Sequence, residues 1–300
     1  MIDIFDATLP HGITLNCRAS GRPGAPVLLF LHGFPEAAFV WDALLEHFGD
    51  RFRCVAPNLR GYAPSSAPAE AEQYRVKHLM ADLDALISQL GGGPLAALVA
   101  HDWGGAIAWS LAAQRPELMQ RLVIINSPHP ATFLRELKYN PEQRAASSYM
   151  NFLCRPDAEK RLAENDYARL WAMFENMGAT DRSHPGGGWL TPEVRDQYHA
   201  VWGAGLGGGC NYYRASPLRP PTEQDDSLMK IEFPAEFVTV RVPTLVIWGL
   251  EDKALPKSLI DGLDAFVPDL RLLRVPGATH WIIHERPEWV ADEIGKFLAA

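Results

Sequence analysis

Cysteine is scarce in this 300-residue chain: Cys17, Cys54, Cys154 and Cys210 lie far apart, and none forms a C-x-x-C pair. That excludes a disulfide frame or a thiolate zinc site and fits small core residues in a reducing compartment. No apolar run approaches the roughly 20 residues a bilayer-spanning helix needs. The opening MIDIFDATLPHG lacks a basic segment followed by an apolar one, so no signal peptide is expected and the cytoplasm is the expected compartment. Positive charge is short as well. The 28 lysines and arginines against 36 acidic residues leave a formal net charge of -8, which argues against nucleic acid or an anionic membrane as partner. No paired His/Asp cluster at ligand spacing appears, so no metal is expected. Internal repeats, low-complexity tracts and charge runs are also missing.

What is present is an ordinary globular composition, 47% hydrophobic and 21% charged, long enough for one large α/β domain or two average ones. Ile2–Ala7 and Ile13–Ala19 read as short strands joined at Pro10-His11-Gly12. Val27–Leu31 (VLLFL) is a continuous apolar run, the pattern of a strand covered on both faces, and Arg53–Pro57, Leu95–Ala100, Leu122–Ile125 and Thr244–Trp248 repeat it. Helical spacing lies between them, with Trp41, Leu44, Leu45 and Phe48 on one face and Leu79, Leu83, Leu86 and Leu90 on another. Such alternation implies right-handed crossovers and a mainly parallel, doubly wound sheet. After Ile125 it stops, and strand signals return only at Val242. We therefore expect a core over residues 1–129 and 241–300, with a helical cap inserted at 130–240 over the C-terminal sheet edge, where open α/β sheets bind ligands. The glycine clusters Gly186–Gly188 and Gly203–Gly209 read as cap loops.

The run Val99-Ala100-His101-Asp102-Trp103-Gly104-Gly105 ends an apolar stretch in a polar pair, followed by two glycines and a helix-like segment. A strand-to-helix turn sharp enough to present one side chain needs small residues two positions either side of it. Ala100 and Gly104 stand there around Asp102. A hydroxyl at this place would serve acyl transfer; a carboxylate suits attack on an sp3 carbon, giving an ester with the protein. The plainer reading makes Asp102 a helix cap and Trp103 core. Other segments favour the chemical reading. His32-Gly33-Phe34-Pro35 follows VLLFL, so the backbone N–H of Phe34 could join that of Trp103 as a pair of oxyanion donors, with His32 structural. Asp252 follows the strand TLVIW, with Glu251 as near competitor and Asp226 as a distant one. His280 follows the strand Leu270–Val275. A histidine can take a proton from water while a buried carboxylate fixes its tautomer.

With these residues in order, the full length of the chain resembles the α/β-hydrolase superfamily and, within it, the epoxide hydrolases. The matching blocks are HGFPE (residues 32–36), Asn58-Leu59-Arg60-Gly61-Tyr62, HDWGG, WGLED and GATHW. Ala63 departs from the pattern where a second glycine is usual, which concerns loop shape. The resemblance implies an α/β-hydrolase fold in which Asp102 attacks an epoxide carbon, His280 and Asp252 activate water against the resulting ester, and a vicinal diol leaves. No metal or organic cofactor is implied. It also implies two cap tyrosines that hydrogen-bond the epoxide oxygen. Tyr213, in Asn211-Tyr212-Tyr213-Arg214, and Tyr149, in Ser148–Phe152, fit that role, with Tyr212 and Tyr139 as substitutes and plain packing as the alternative. Phe34, Trp103, Phe133, Phe152 and Trp281 would give an aryl or alkyl epoxide an aromatic pocket. His129 reads as a hinge or cap contact.

Two rival activities fit parts of the pattern. A haloalkane dehalogenase would share the aspartate and use the Trp103 indole on the halide, with a second donor from Trp171, Trp189 or Trp202. A ligand receptor built on a hydrolase frame would bind without turnover. Oligomeric state is not readable from the sequence.

Overall fold

The four apolar runs between residues 27 and 125, with the one at 244, become central strands because each can be covered on both faces. The computed structural model describes residues 1–183 and 186–300. These residues build an eight-stranded sheet from β1 (Asp3–Thr8), β2 (Thr14–Ser20), β3 (Val27–Leu31), β4 (Arg53–Pro57), β5 (Ala97–His101), β6 (Leu122–Ile125), β7 (Thr244–Gly249) and β8 (Leu270–Val275), in the order β1-β2-β4-β3-β5-β6-β7-β8. Pairing is antiparallel between β1 and β2 and between β2 and β4, and parallel from there on. Every residue of β5, β6 and β7 is buried, whereas the edge strands β1 and β8 are partly exposed. Parallel interior strands flanked by crossover helices give this difference. Register puts His101 opposite Ile125, and Ile125 opposite Ile247. Three strand ends, followed by the segments that carry Asp102, Asn126 and Asp252, therefore meet at one place.

The helices of the core are α1 (Asp42–Phe48), α2 (Val76–Gln89) and α3 (Asp102–Gln114). Between β6 and β7 the chain is helical: α4 (Pro130–Tyr139), α5 (Pro141–Ala146), α6 (Ser148–Leu153), α7 (Ala158–Glu175), α8 (Pro192–Gly203), α9 (Gly207–Ala215) and α10 (Ala235–Val238). The chain ends with α11 (Ile282–Glu285) and α12 (Pro287–Ala299). Helix α1 packs on β2 and β4 and touches α12; α3 packs on β5 and β6 and touches α2. Helix α7 is interrupted where Asn165, Asp166 and Tyr167 all take positive φ, and the Trp171 indole N–H donates to the Asp166 carbonyl freed there, at 2.9 Å. Among the described residues no helix is long and apolar enough to cross a membrane.

The expectation for Gly203–Gly209 is corrected. Gly203 closes α8, and Gly207–Gly209 form the first turn of α9 rather than a loop. A Cβ on Gly208 would overlap the backbone of Gly61, and one on Gly209 would stand 2.9 Å from the Phe34 ring. The glycines let α9 lie directly against the core, and this contact outweighs their weak helix propensity.

Candidate active site

Strand β5 runs straight into α3, and the junction is strained. Asp102 sits at φ 50, a left-handed conformation that costs a non-glycine residue about 1–2 kcal/mol. Close packing enforces it. A Cβ on Gly104 would stand 2.5 Å from the Leu31 carbonyl oxygen, and one on Gly33 would overlap the Asp102 carboxylate. The Ser127 hydroxyl donates to the Asp102 carbonyl at 2.6 Å and pins the turn from the β6 side. The carboxylate is thus presented at the N-terminus of α3, where the helix dipole favours negative charge. Its Oδ1 accepts the Phe34 backbone N–H at 2.7 Å, and its Oδ2 lies 3.7 Å from His280 Nε2.

Behind His280 the chain is ordered by hydrogen bonds. His280 Nδ1 donates to Asp252 Oδ2 at 2.7 Å. Asp252 Oδ1 accepts the N–H groups of Ala254 and Leu255, both at 2.9 Å, from the turn beyond β7. Asn126, at the end of β6, also donates to Asp252 Oδ2, at 2.7 Å. Of the alternatives for the acid, Glu251 is exposed, and Asp226 pairs at 3.6 Å with Lys230. Burial works against a charge on His280. The Asp252 carboxylate, by charge and hydrogen bond, then Asp102 and Glu36, outweigh burial and raise the imidazole from 6.5 to about 9. The resting arrangement is an imidazolium between two carboxylates.

Above Asp102 lies a cavity of about 700 Å3, lined by Asp102, Trp103, Tyr149 and Tyr213 and walled by Ile107, Phe133, Met150 and Leu218 among others. The rings of Tyr149 and Tyr213 are 6.0 Å apart, and Tyr213 meets Trp103 edge-on at 5.1 Å. Burial is the main cause raising both phenols, followed for Tyr149 by the charges of Asp102 and Asp252, and for Tyr213 by those of Tyr149 and Asp102. Both remain protonated donors at neutral pH. Tyr212 also borders the cavity, but its hydroxyl is engaged by the Arg60 carbonyl at 2.9 Å; Tyr139 is 73% exposed.

The aromatic residues divide. Trp103 and Phe133 line the cavity, whereas Phe34, Phe152 and Trp281 are not among the described residues of its wall. Phe34 packs edge-on against Tyr213, Phe152 lies under the Arg169 guanidinium, and Trp281 packs between His280 and Phe174. The indole N–H groups of Trp171 and Trp202 donate to the carbonyls of Asp166 and Pro35 and so are engaged away from the cavity. Trp189 stacks on His284 with ring centroids 4.1 Å apart, and it too is not among the described residues of the cavity wall. His32 is structural: one ring nitrogen bonds the Gly33 carbonyl, and the other accepts the Leu59 N–H. His129 bonds the Val238 carbonyl in α10. Burial lowers both of these histidines to about 4.

Two groups next to the site escape a reading of the sequence. One is Asn126. The other is Glu36, fully buried, which accepts from the Tyr198 hydroxyl at 2.8 Å and from His284 Nε2 at 2.6 Å, and faces His101 Nδ1 at 3.2 Å. Burial alone would raise that carboxyl; the imidazoles of His284 and His101 outweigh it and hold it low. In the sequence Glu36 only closes the HGFPE block, and its partners lie 65 or more positions away.

Over residues 26–287 the chain matches the alpha/beta hydrolase fold family. It is 35% identical over 293 residues to the AB hydrolase superfamily protein YfhM of Bacillus subtilis (strain 168), covering 96% of this chain and 95% of that protein. Epoxide hydrolase 4 of Mus musculus is 32% identical over 295 residues, covering 96% of this chain and 77% of that protein. Among solved structures, a Bacillus megaterium epoxide hydrolase in complex with an inhibitor superposes with a TM-score of 0.89 at 29% identity, over 99% of this chain and 100% of that one.

Proposed function

Because the chain belongs to the α/β-hydrolase fold family and groups within it with the epoxide hydrolases, we propose that it converts an epoxide and water to a vicinal diol through an ester on Asp102. The observation that carries this reading is a carboxylate on a strained turn, facing a histidine on one side and two phenols across a largely apolar cavity. Asp102 Oδ1 is engaged by the Phe34 N–H, so Oδ2 attacks. A bond forms from Oδ2 to the epoxide carbon, the carbon–oxygen bond of the ring breaks, and Tyr149 or Tyr213 gives the ring oxygen a proton. Such donors matter because an alkoxide is a poor leaving group even when ring strain is released.

Once Asp102 is an ester, His280 gives its resting proton to the tyrosinate; in the second half-reaction its Nε2 takes a proton from water, and the hydroxide adds to the Asp102 carbonyl carbon. Oδ1 is now the carbonyl oxygen, and the negative charge it acquires meets the N–H of Phe34 and that of Trp103, at the first turn of α3. Collapse breaks the bond between that carbon and Oδ2, the departing alkoxide takes the proton of the hydroxyl just added, the diol leaves with Oδ2, and Asp102 is again a carboxylate beside the His280 imidazolium. The helical stretch between β6 and β7 acts as the cap that carries the phenols. Small aryl or alkyl epoxides fit the apolar wall.

Haloalkane dehalogenation would require a second indole donor at the cavity. The engaged N–H groups of Trp171 and Trp202 do not supply it, and Trp189 is turned to His284. A single turnover with enzyme in excess in 18O-water tests the proposal. The first diol should carry ordinary oxygen from Asp102, and the heavy atom should appear in the peptide containing residue 102. Heavy oxygen entering the first diol directly from solvent would refute the ester. Halide and diol release measured in parallel on a panel of epoxides and haloalkanes separates the two activities.

A further inference from the structure

Asn126 is fully buried at the end of β6, with φ 39. Asparagine tolerates this left-handed backbone better than most residues, so a turn-forming role is the simplest account of it. The side chain indicates more. Its Oδ1 must be the atom that accepts the Gly249 N–H at 2.9 Å, since an N–H can bond only to the amide oxygen, and this orients Nδ2 toward Asp252 at 2.7 Å. Asp252 thereby has four donors: two backbone N–H groups on Oδ1, with Asn126 and His280 on Oδ2. The same amide also ties the β6 end to the β7 end that carries Asp252.

We propose that Asn126 is a positioning residue for hydrolysis of the ester: its amide holds the Asp252 carboxylate turned so that His280 presents Nε2 to water. This rests on the two-step reading above. Attack by Asp102 does not need Asp252, whereas removal of the water proton does. Loss of the Asn126 donor therefore slows the second half-reaction and spares the first. Other charged or titratable groups facing the pair are His280, Asp102, Tyr149, Glu36 and, tilted against the His280 ring, His101; none of them changes in the variants below.

The test is N126D, which keeps shape and backbone preference but replaces the donor with a second carboxylate, alongside N126G, which keeps the backbone and removes the side chain. Styrene oxide is mixed with excess enzyme, and ester formation and breakdown are followed by rapid quench and intact-mass spectrometry. At pH 8.5 ester breakdown should slow roughly 10- to 100-fold in both variants, the size expected for a lost hydrogen bond to a charged group, while ester formation stays within about threefold of wild type. Two facing carboxylates share a proton readily, so at pH 6 the carboxyl introduced by N126D becomes a donor again. The deficit of N126D should then shrink to about threefold, while that of N126G persists. A merely structural role produces no such pH-selective recovery. The inference is overturned if breakdown in N126D matches wild type, if formation falls as much as breakdown, or if the N126D deficit is the same at both pH values. A wild type that forms no adduct would instead sink the two-step reading itself.

Discussion

In the proposed mechanism esterification removes the negative charge of Asp102, and the geometry gives that loss a size. In the resting site His280 Nε2 lies 3.7 Å from Asp102 Oδ2, and the imidazole is raised to about 9. At that separation, an effective dielectric of about 20–40 gives an attraction of about 2–4 kcal/mol, equivalent to about 1.5–3 pKa units. With Asp102 neutral, His280 should therefore titrate at about 6–7.5, close to the best value for a general base at physiological pH. The first half-reaction thus creates the base that the second one needs. D102N imitates the neutral ester without substrate. Histidine labelled at the ring nitrogens, followed by NMR from pH 5 to 10 in wild type, D102N and H280Q, reads the shift directly, the last variant identifying the resonance. The expected result is a midpoint near 9 in wild type and between about 6 and 7.5 in D102N. Midpoints within half a unit of each other would refute the reasoning, because Asp102 would then contribute nothing to the charge on His280.

Other consequences can be checked independently. Y149F and Y213F should each slow ester formation roughly 100-fold, with the double variant worse than either and ester breakdown little changed, as judged by rapid quench. Folding stability should depend on two buried histidines. His32 and His129 bind protons at about 4 when folded but near 6.5 when unfolded, so stability is lost as pH falls from 6.5 toward 4, by about 2 kcal/mol each at pH 5. Urea midpoints at pH 6.5 and 5 should show it, and H129N should remove its share. His280 has the opposite sign: its contribution is complete below 6.5 and is lost as pH rises through about 9, so H280Q should flatten the alkaline decline in urea midpoint.

The central strands were legible because burial on both faces demands an unbroken apolar run, and VLLFL or TLVIW cannot be satisfied otherwise. The bounds move slightly: β5 begins at Ala97 and includes His101, while Leu95 makes an isolated bridge to Met119, β7 runs on to Gly249, and β1 and β2 each lie one residue later than expected. The turn at Asp102 was legible because its small neighbours are a local steric requirement. Pocket aromatics were not. Phe152 and Trp281 have the composition of pocket residues, but whether a ring faces a cavity or a neighbouring ring depends on which helix covers it. The glycines at the start of α9 were misread for a related reason: what they accommodate is the backbone at Gly61, nearly 150 positions earlier.

The sequence by itself determined the alternation of strands and helices, the small residues Ala100 and Gly104 around Asp102, and the post-strand segments that hold Asp252 and His280, since each is read from residues within a few positions of one another. Only the tertiary structure decided which carboxylate meets which imidazole, that Asn126 completes the shell of Asp252, and that Glu36 is shared by Tyr198 and His284. Those contacts join residues 28 to 248 positions apart, on segments beyond the strand ends and on helices α8 and α11, and no local pattern encodes a partner chosen by the path of the whole chain.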